Sequence, residues 1–171
     1  MKFIKKNLKW ILLTIFITLN LFIVFESCLP AGESSSQSNL VVDISKDIIN
    51  FFRPDTITNS NIDALAMAVR KVIGHFLLFA LNGLIGFFTF ISLFKNKKWW
   101  LSIIINLIIG LSVAILTEII QIFTPGRAGL ISDVLLDYSG YLLPLLIGYS
   151  VILIIRLTKR KKQSIDDNQK P

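Results

Sequence analysis

Four apolar runs, each about as long as a bilayer core is thick, constrain this chain more than any other feature. A hydrocarbon core about 30 Å thick takes roughly 20 apolar residues as helix, and only a segment that satisfies its own backbone polar groups crosses lipid singly. The runs are Leu8 to Phe25, Val72 to Phe94, Trp99 to Phe123 and Ser139 to Leu157, the last extendable back to Asp133. Charged residues make up 17% of the chain, against about 25% in a soluble domain, which agrees with lipid as the solvent. The expected fold is all-α: a polytopic membrane protein with transmembrane helices at about 8–25, 72–94, 99–123 and 133–157. Residues 1–157 form one membrane domain in this reading, and 158–171 a basic cytoplasmic tail.

Orientation follows from Lys and Arg, which resist translocation and collect in cytoplasmic segments. Lys2, Lys5, Lys6 and Lys9 precede the first run, Lys95, Lys97 and Lys98 separate the second and third, and Arg156, Lys159, Arg160, Lys161, Lys162 and Lys170 follow the fourth. The alternate segments hold only Lys46, Arg53, Arg70, Lys71 and Arg127. Both termini are therefore expected in the cytoplasm, with Trp10, Trp99 and Trp100 in the inner aromatic belt. The net charge of +7 is assigned to topology and anionic lipid, and nucleic acid is not an expected partner. A cleaved signal or lipoprotein site at Cys28 is the rival reading of the first run; Glu26, Ser27 and the length of the run favour an uncleaved anchor. One cysteine and one histidine exclude a disulfide and the zinc sites built from several Cys and His. No metal or other cofactor is expected.

The outer segment between the first two runs divides in two. Gly32 to Ser38 is serine-rich and is expected to be mobile. From Leu40 to Phe52, Leu40, Val41, Ile44, Ile48, Phe51 and Phe52 share one helical arc, and Asp43, Lys46, Asp47 and Asn50 occupy the other. Such a helix is expected to lie in the headgroup plane or to cover the bundle mouth, ending at Pro54. Ser60 with Asp63 three residues on reads as a capping box, so the second membrane helix is expected to begin near Asn61.

The polar residues near the spans gather at one depth. At about 1.5 Å per helical residue, His75 lies ~6–8 Å below Arg70 and Lys71, and Glu118 ~10 Å short of Pro125. Glu118 and Gln121 are spaced i,i+3, Asp133 and Asp137 i,i+4, and His75 and Asn82 i,i+7, so each helix presents its set on one face. Ionisable groups within a span face the bundle interior or a wet cavity. The expectation is an outward pocket ringed by His75, Glu118, Gln121, Arg127, Asp133 and Asp137. Arg70 and Lys71 stand at the same level, placed with Arg127 to meet phosphate or carboxylate. Simpler roles stand beside these. Asp133 suits the positive end of its helix, and Arg70 and Lys71 suit headgroup anchoring. Thr124 to Arg127 suits a tight turn, Glu118 and Arg127 a structural pair, Gly110 and Ala114 close packing, and Pro144 a kink.

Taken in order, Arg70-Lys71-xxx-His75-Phe76, Glu118-xx-Gln121, Pro125-Gly126-Arg127, Asp133 and Gly140 resemble the signature of the VanZ-like family of small bacterial membrane proteins. Phe25 to Pro30 and the stretch from Ser34 to Asn39 are similar to the family's segment after its first helix. The resemblance covers about Phe25 to Gly140. Two positions depart from it: Asp137 stands where the family usually has asparagine, and Pro144 where it has a second glycine. A carboxylate only accepts where an amide also donates, so hydrogen bonding at Asp137 differs. The resemblance implies a role at the outer face of the bacterial plasma membrane, associated in the family's namesake with lowered susceptibility to the glycopeptide teicoplanin, and it supplies no reaction.

Three classes of function follow. In the first, a non-catalytic pocket binds membrane lipid, a lipid-linked envelope component or a glycopeptide antibiotic. In the second, an enzyme acts on a lipid-linked phosphate or glycan, with His75 or Glu118 as general acid or base, Asp133 orienting its partner and Arg127 stabilising anionic charge. A divalent ion on His75, Glu118, Asp133 and Asp137 is a minor variant of this class. Transport, the third, is disfavoured by the absence of internal repeats and by polar groups confined to one side.

Overall fold

The computed structural model describes residues 2–94 and 99–168; Lys95, Lys97, Lys98 and Lys170 of the basic clusters lie outside the described residues. The elements run α1 (Lys2–Cys28), α2 (Ala31–Phe52), α3 (Ile62–Val69), a π-helical stretch (Arg70–Leu77), α4 (Leu78–Phe94), α5 (Trp99–Ile122) and α6 (Ile131–Asn168). The described residues contain no strand. Four helical stretches are long and apolar enough to cross a membrane: Asn7–Cys28, Ile62–Phe94, Trp99–Ile122 and Ile131–Gln163. Three of them extend past their apolar runs, because helix continues through flanking polar residues that are themselves adequate helix formers; the other, Trp99–Ile122, stops one residue short of its run.

The bundle is built with its polarity inverted. Fully buried positions include Asn82, Thr89, Ser102, Asn106 and Thr117, while Leu21, Ile108, Leu135 and Leu146 are exposed. Where lipid is the solvent, apolar burial does not drive helix association, and close packing and interhelical hydrogen bonds take its place. Asn20 of α1 and Asn82 of α4 exchange side-chain hydrogen bonds of 3.2 and 3.1 Å, and the Thr89 hydroxyl donates to the Leu12 carbonyl. Between α5 and α6, Ser102 and Tyr149 share a 2.7 Å contact, and the Tyr141 hydroxyl donates to Asn106 Oδ1 at 2.5 Å. Gly110 and Ala114 do act in packing: Gly110 lies against the Tyr141 ring, and Ala114 is fully buried. Pro144 sits inside α6 without ending it.

The π-helical stretch and α4 run parallel to α6. Lys71 meets Asp133 and His75 meets Asp137, each pair 62 residues apart in sequence. Glycine permits this closeness: a Cβ on Gly83 would collide with the Tyr141 carbonyl oxygen, and one on Gly140 with that of Phe76.

Two local expectations are corrected. The serine-rich stretch is helical from Ala31, after Pro30 at the N-cap. Its hydroxyls satisfy themselves on the helix, Ser35 to the Ala31 carbonyl and Ser38 to that of Ser35, Glu33 favours the helix start, and the Ala31 N–H is tied to the Pro125 carbonyl. The cap of α3 is Asn61 and not Ser60. The Asn61 side chain turns back to bond the Thr58 N–H and the Thr56 carbonyl, and the Ser60 hydroxyl bonds Thr58. In α2 the buried side chain is Val42; of the apolar arc Leu40, Ile44, Ile48, Phe51 and Phe52 are exposed, and Val41 faces inward.

Replacing Gly83 or Gly140 with Ala is expected to destabilise the bundle by about 1–3 kcal/mol through overpacking. Gly32→Ala, which meets open space, is expected to leave stability unchanged. Denaturant unfolding of the three variants in detergent micelles checks the contrast.

Candidate functional site

At one end of the bundle lies a cavity of about 490 Å³ lined by Arg70, His75, Gln121, Arg127 and Asp137. Its walls come from the end of α1, the first half of α2, the π-helical stretch, the end of α5, the loop after it and α6. The turn after α5 is fixed by its sequence. The Arg127 N–H bonds the Thr124 carbonyl at 3.1 Å, and Gly126, at φ +74°, supplies the left-handed third position after Pro125 that a type II turn requires. That turn delivers Arg127 to the cavity. Burial lowers the Arg127 guanidinium from its ordinary value, with Glu26 and Glu118 acting to raise it and Arg70 to lower it further. A guanidinium stays charged through such a shift.

Of the residues singled out from the sequence, Arg70, His75, Gln121, Arg127 and Asp137 line the cavity. His75 Nδ1 lies 3.0 Å from Asp137 Oδ1 and 4.0 Å from Glu118 Oε1. Glu118, 3% exposed, sits behind the imidazole and is held at both oxygens: Gln121 Nε2 donates to Oε1 at 3.1 Å and the Leu130 N–H to Oε2 at 2.9 Å. The Leu130 N–H precedes α6 and would otherwise lack an intrahelical partner. Glu118 forms no ion pair with Arg127 within 4.0 Å among the described residues, so the structural pairing of those two residues is replaced by these contacts. Asp133 also departs from the expected ring. It is bound to Lys71 Nζ at 2.7 Å, one turn above the His75–Asp137 contact, and neither Lys71 nor Asp133 lines the cavity.

Asn82 does not join the site. Between it and His75 lies part of the π-helical stretch, whose i→i+5 pattern takes more residues per turn, so an i,i+7 spacing no longer returns to the same face. Asn82 faces Asn20 instead. Sequence reasoning missed the contribution of α2 and the end of α1: Glu26, Ser27, Ser34, Ser38 and Val41 all line the cavity. The i,i+4,i+7 spacing of Ser34, Ser38 and Val41 was the available signal, since it places them on one helical face.

These features define a class, a multi-pass all-α membrane protein with ionisable side chains gathered at one end of its bundle. The chain belongs to the VanZ-like family: the VanZ/LLP1 family model matches residues 10–156, most of its length. Comparison with curated proteins and with solved structures finds no match.

Because the Lys71 side chain is 47% exposed, its pair with Asp133 is expected to contribute only about 0.2–1 kcal/mol. A double-mutant cycle of Lys71→Met and Asp133→Asn, read by unfolding in detergent, measures the coupling.

Proposed function

We propose that the cavity opens to the outer face of the bacterial plasma membrane and binds the anionic headgroup of a lipid-linked envelope component. The observation that carries this reading is the pair of guanidinium groups, Arg70 and Arg127, in one cavity wall. Neither makes an ion pair with a carboxylate among the described residues, and Arg70 Nε is buried without a hydrogen-bond partner. Guanidinium groups suit phosphate because their paired N–H donors match its oxygens. Ser34 of α2 lines the same cavity and adds a neutral hydroxyl beside them, and the exposed arc of Leu40, Ile44, Ile48 and Phe51 would lie against acyl chains in the outer headgroup plane. A lipophilic glycopeptide of the teicoplanin type carries the same mixture of acyl chain and anionic group, so a contribution to resistance is a special case of this activity.

The contact of His75 with Asp137 favours a second reading, a membrane enzyme acting on a lipid-linked phosphate or glycan. A carboxylate on one ring nitrogen orients an imidazole, and His75 lines the cavity where the headgroup would sit. In that case Glu118→Gln and His75→Ala are expected to abolish turnover while the bundle still folds. Equal cellular phenotypes for wild type and both variants would end the catalytic reading.

Two measurements test the binding proposal. In native mass spectrometry from mixed bacterial lipids, the wild type is expected to retain a phosphate-bearing lipid about tenfold better than Arg70→Gln/Arg127→Gln, a difference of about 1.4 kcal/mol; equal retention overturns it. For orientation, Cys28, the one cysteine and an exposed one, is expected to react with a membrane-impermeant maleimide in intact cells. A cysteine introduced at Gln163 in a Cys28→Ser background is expected to react only after permeabilisation.

A further inference from the structure

We propose that His75, Glu118 and Asp137 form a binding site for one divalent transition-metal ion of the zinc or manganese type. The three residues come from three separate elements, the π-helical stretch, α5 and α6, yet each offers a ligand atom within 4.8 Å of the others. The imidazole Nδ1 is 3.0 Å from Asp137 Oδ1 and 4.0 Å from Glu118 Oε1. Metal–ligand bonds of about 2.0–2.2 Å put the donor atoms around a single ion roughly 3–4 Å apart, and both distances from His75 Nδ1 fall in that range.

Charge and hydrogen bonding point the same way. Glu118 and Asp137 are 3% and 1% exposed, and buried charges require compensation. A proton on His75 offsets one carboxylate; a divalent ion offsets both. The neighbouring Lys71 is engaged with Asp133, and neither Arg70 nor Arg127 reaches these carboxylates within 4.0 Å. Asp137 Oδ2 is buried without a hydrogen-bond partner on a residue that lines the cavity. A buried acceptor left unmatched calls for a ligand, and this one belongs to the metal-ligating cluster itself. The surroundings also hold the ligands still: Gln121 and the Leu130 N–H fix the Glu118 carboxylate, as outer-shell donors do at metal centres.

The donor set selects the class of ion. Imidazole suits zinc, iron, nickel and copper, carboxylates suit magnesium, calcium and manganese, and the mixture with a single imidazole meets at zinc and manganese. Three protein ligands leave a coordination position open, and the cavity containing Arg70 and Arg127 adjoins it. An anionic headgroup held there would place an oxygen on the ion. That last contact rests on the binding proposal above; the metal site does not.

The test uses the full chain in lipid nanodiscs, stripped with chelator, reloaded with Zn²⁺ or Mn²⁺ and desalted, with bound metal read by plasma mass spectrometry. The wild type is expected to retain a stoichiometric ion, and His75→Ala and Asp137→Asn to lower affinity at least tenfold. Arg70→Gln and Arg127→Gln are expected to keep the metal even where they lose the lipid, which separates failure of one proposal from failure of the other. Wild type retaining no more of either ion than His75→Ala overturns the site. Should the variants fail to fold, Co²⁺ added to the stripped wild type decides: ¹⁴N coupling from one coordinated imidazole in its pulsed EPR spectrum, which in this chain can come only from His75, supports the site, and its absence overturns it.

Discussion

The parallel contact between the π-helical stretch and α6 is the constraint on which the site depends. The backbone approach of Gly140 in α6 to Phe76, continued one element on by that of Gly83 in α4 to Tyr141, brings the two close enough for short side chains to meet directly. Two bonds then follow in register, Lys71 to Asp133 and His75 to Asp137, with i,i+4 spacing on both partners. Any larger residue at the glycines would widen the gap, and the imidazole and carboxylate would then meet through water or not at all. The π-helical turns belong to the same device: they reorient His75 relative to α4 while α4 keeps Asn82 on Asn20. Such stretches are concentrated at functional sites because they redirect a side chain without breaking the helix.

Away from the site, small and polar residues hold the bundle together. Ser102, Asn106, Tyr141 and Tyr149 bridge α5 and α6, and the asparagine pair bridges α1 and α4. Interhelical hydrogen bonds of this kind average about 0.6 kcal/mol in a bilayer, so they set register more than they supply stability. Their separation from the ionisable cluster divides the labour, with neutral polar groups joining helices and the ionisable groups of the spans gathered beside the cavity.

The segment after α1 shows how local composition misleads. Serine and glycine over residues 32–38 read as a linker because they contribute little to burial, yet the stretch is helical and walls the cavity. Its helix rests on local bonds, Ser35 and Ser38 to backbone carbonyls, and on one tie distant in sequence, the Ala31 N–H to the Pro125 carbonyl. The same holds for Asn61, whose capping position depends on how the preceding loop folds back through Thr56 and Thr58.

Four membrane-length helices, their order and five of the residues that line the candidate site, Arg70, His75, Gln121, Arg127 and Asp137, were legible in the chain, because apolar run length and the expense of burying charge are properties of local composition. Membership of the VanZ-like family was legible too, through residues spaced along the sequence from Arg70 to Gly140. What the tertiary structure alone decided was partnership: His75 with Asp137 and Glu118, Lys71 with Asp133, Glu118 with the Leu130 N–H in place of Arg127. A helical period tells which residues share a face, but the rotation of one helix against another is set by where backbones can touch. Here that was settled by two glycines and a π-helical turn, whose effects no single segment contains.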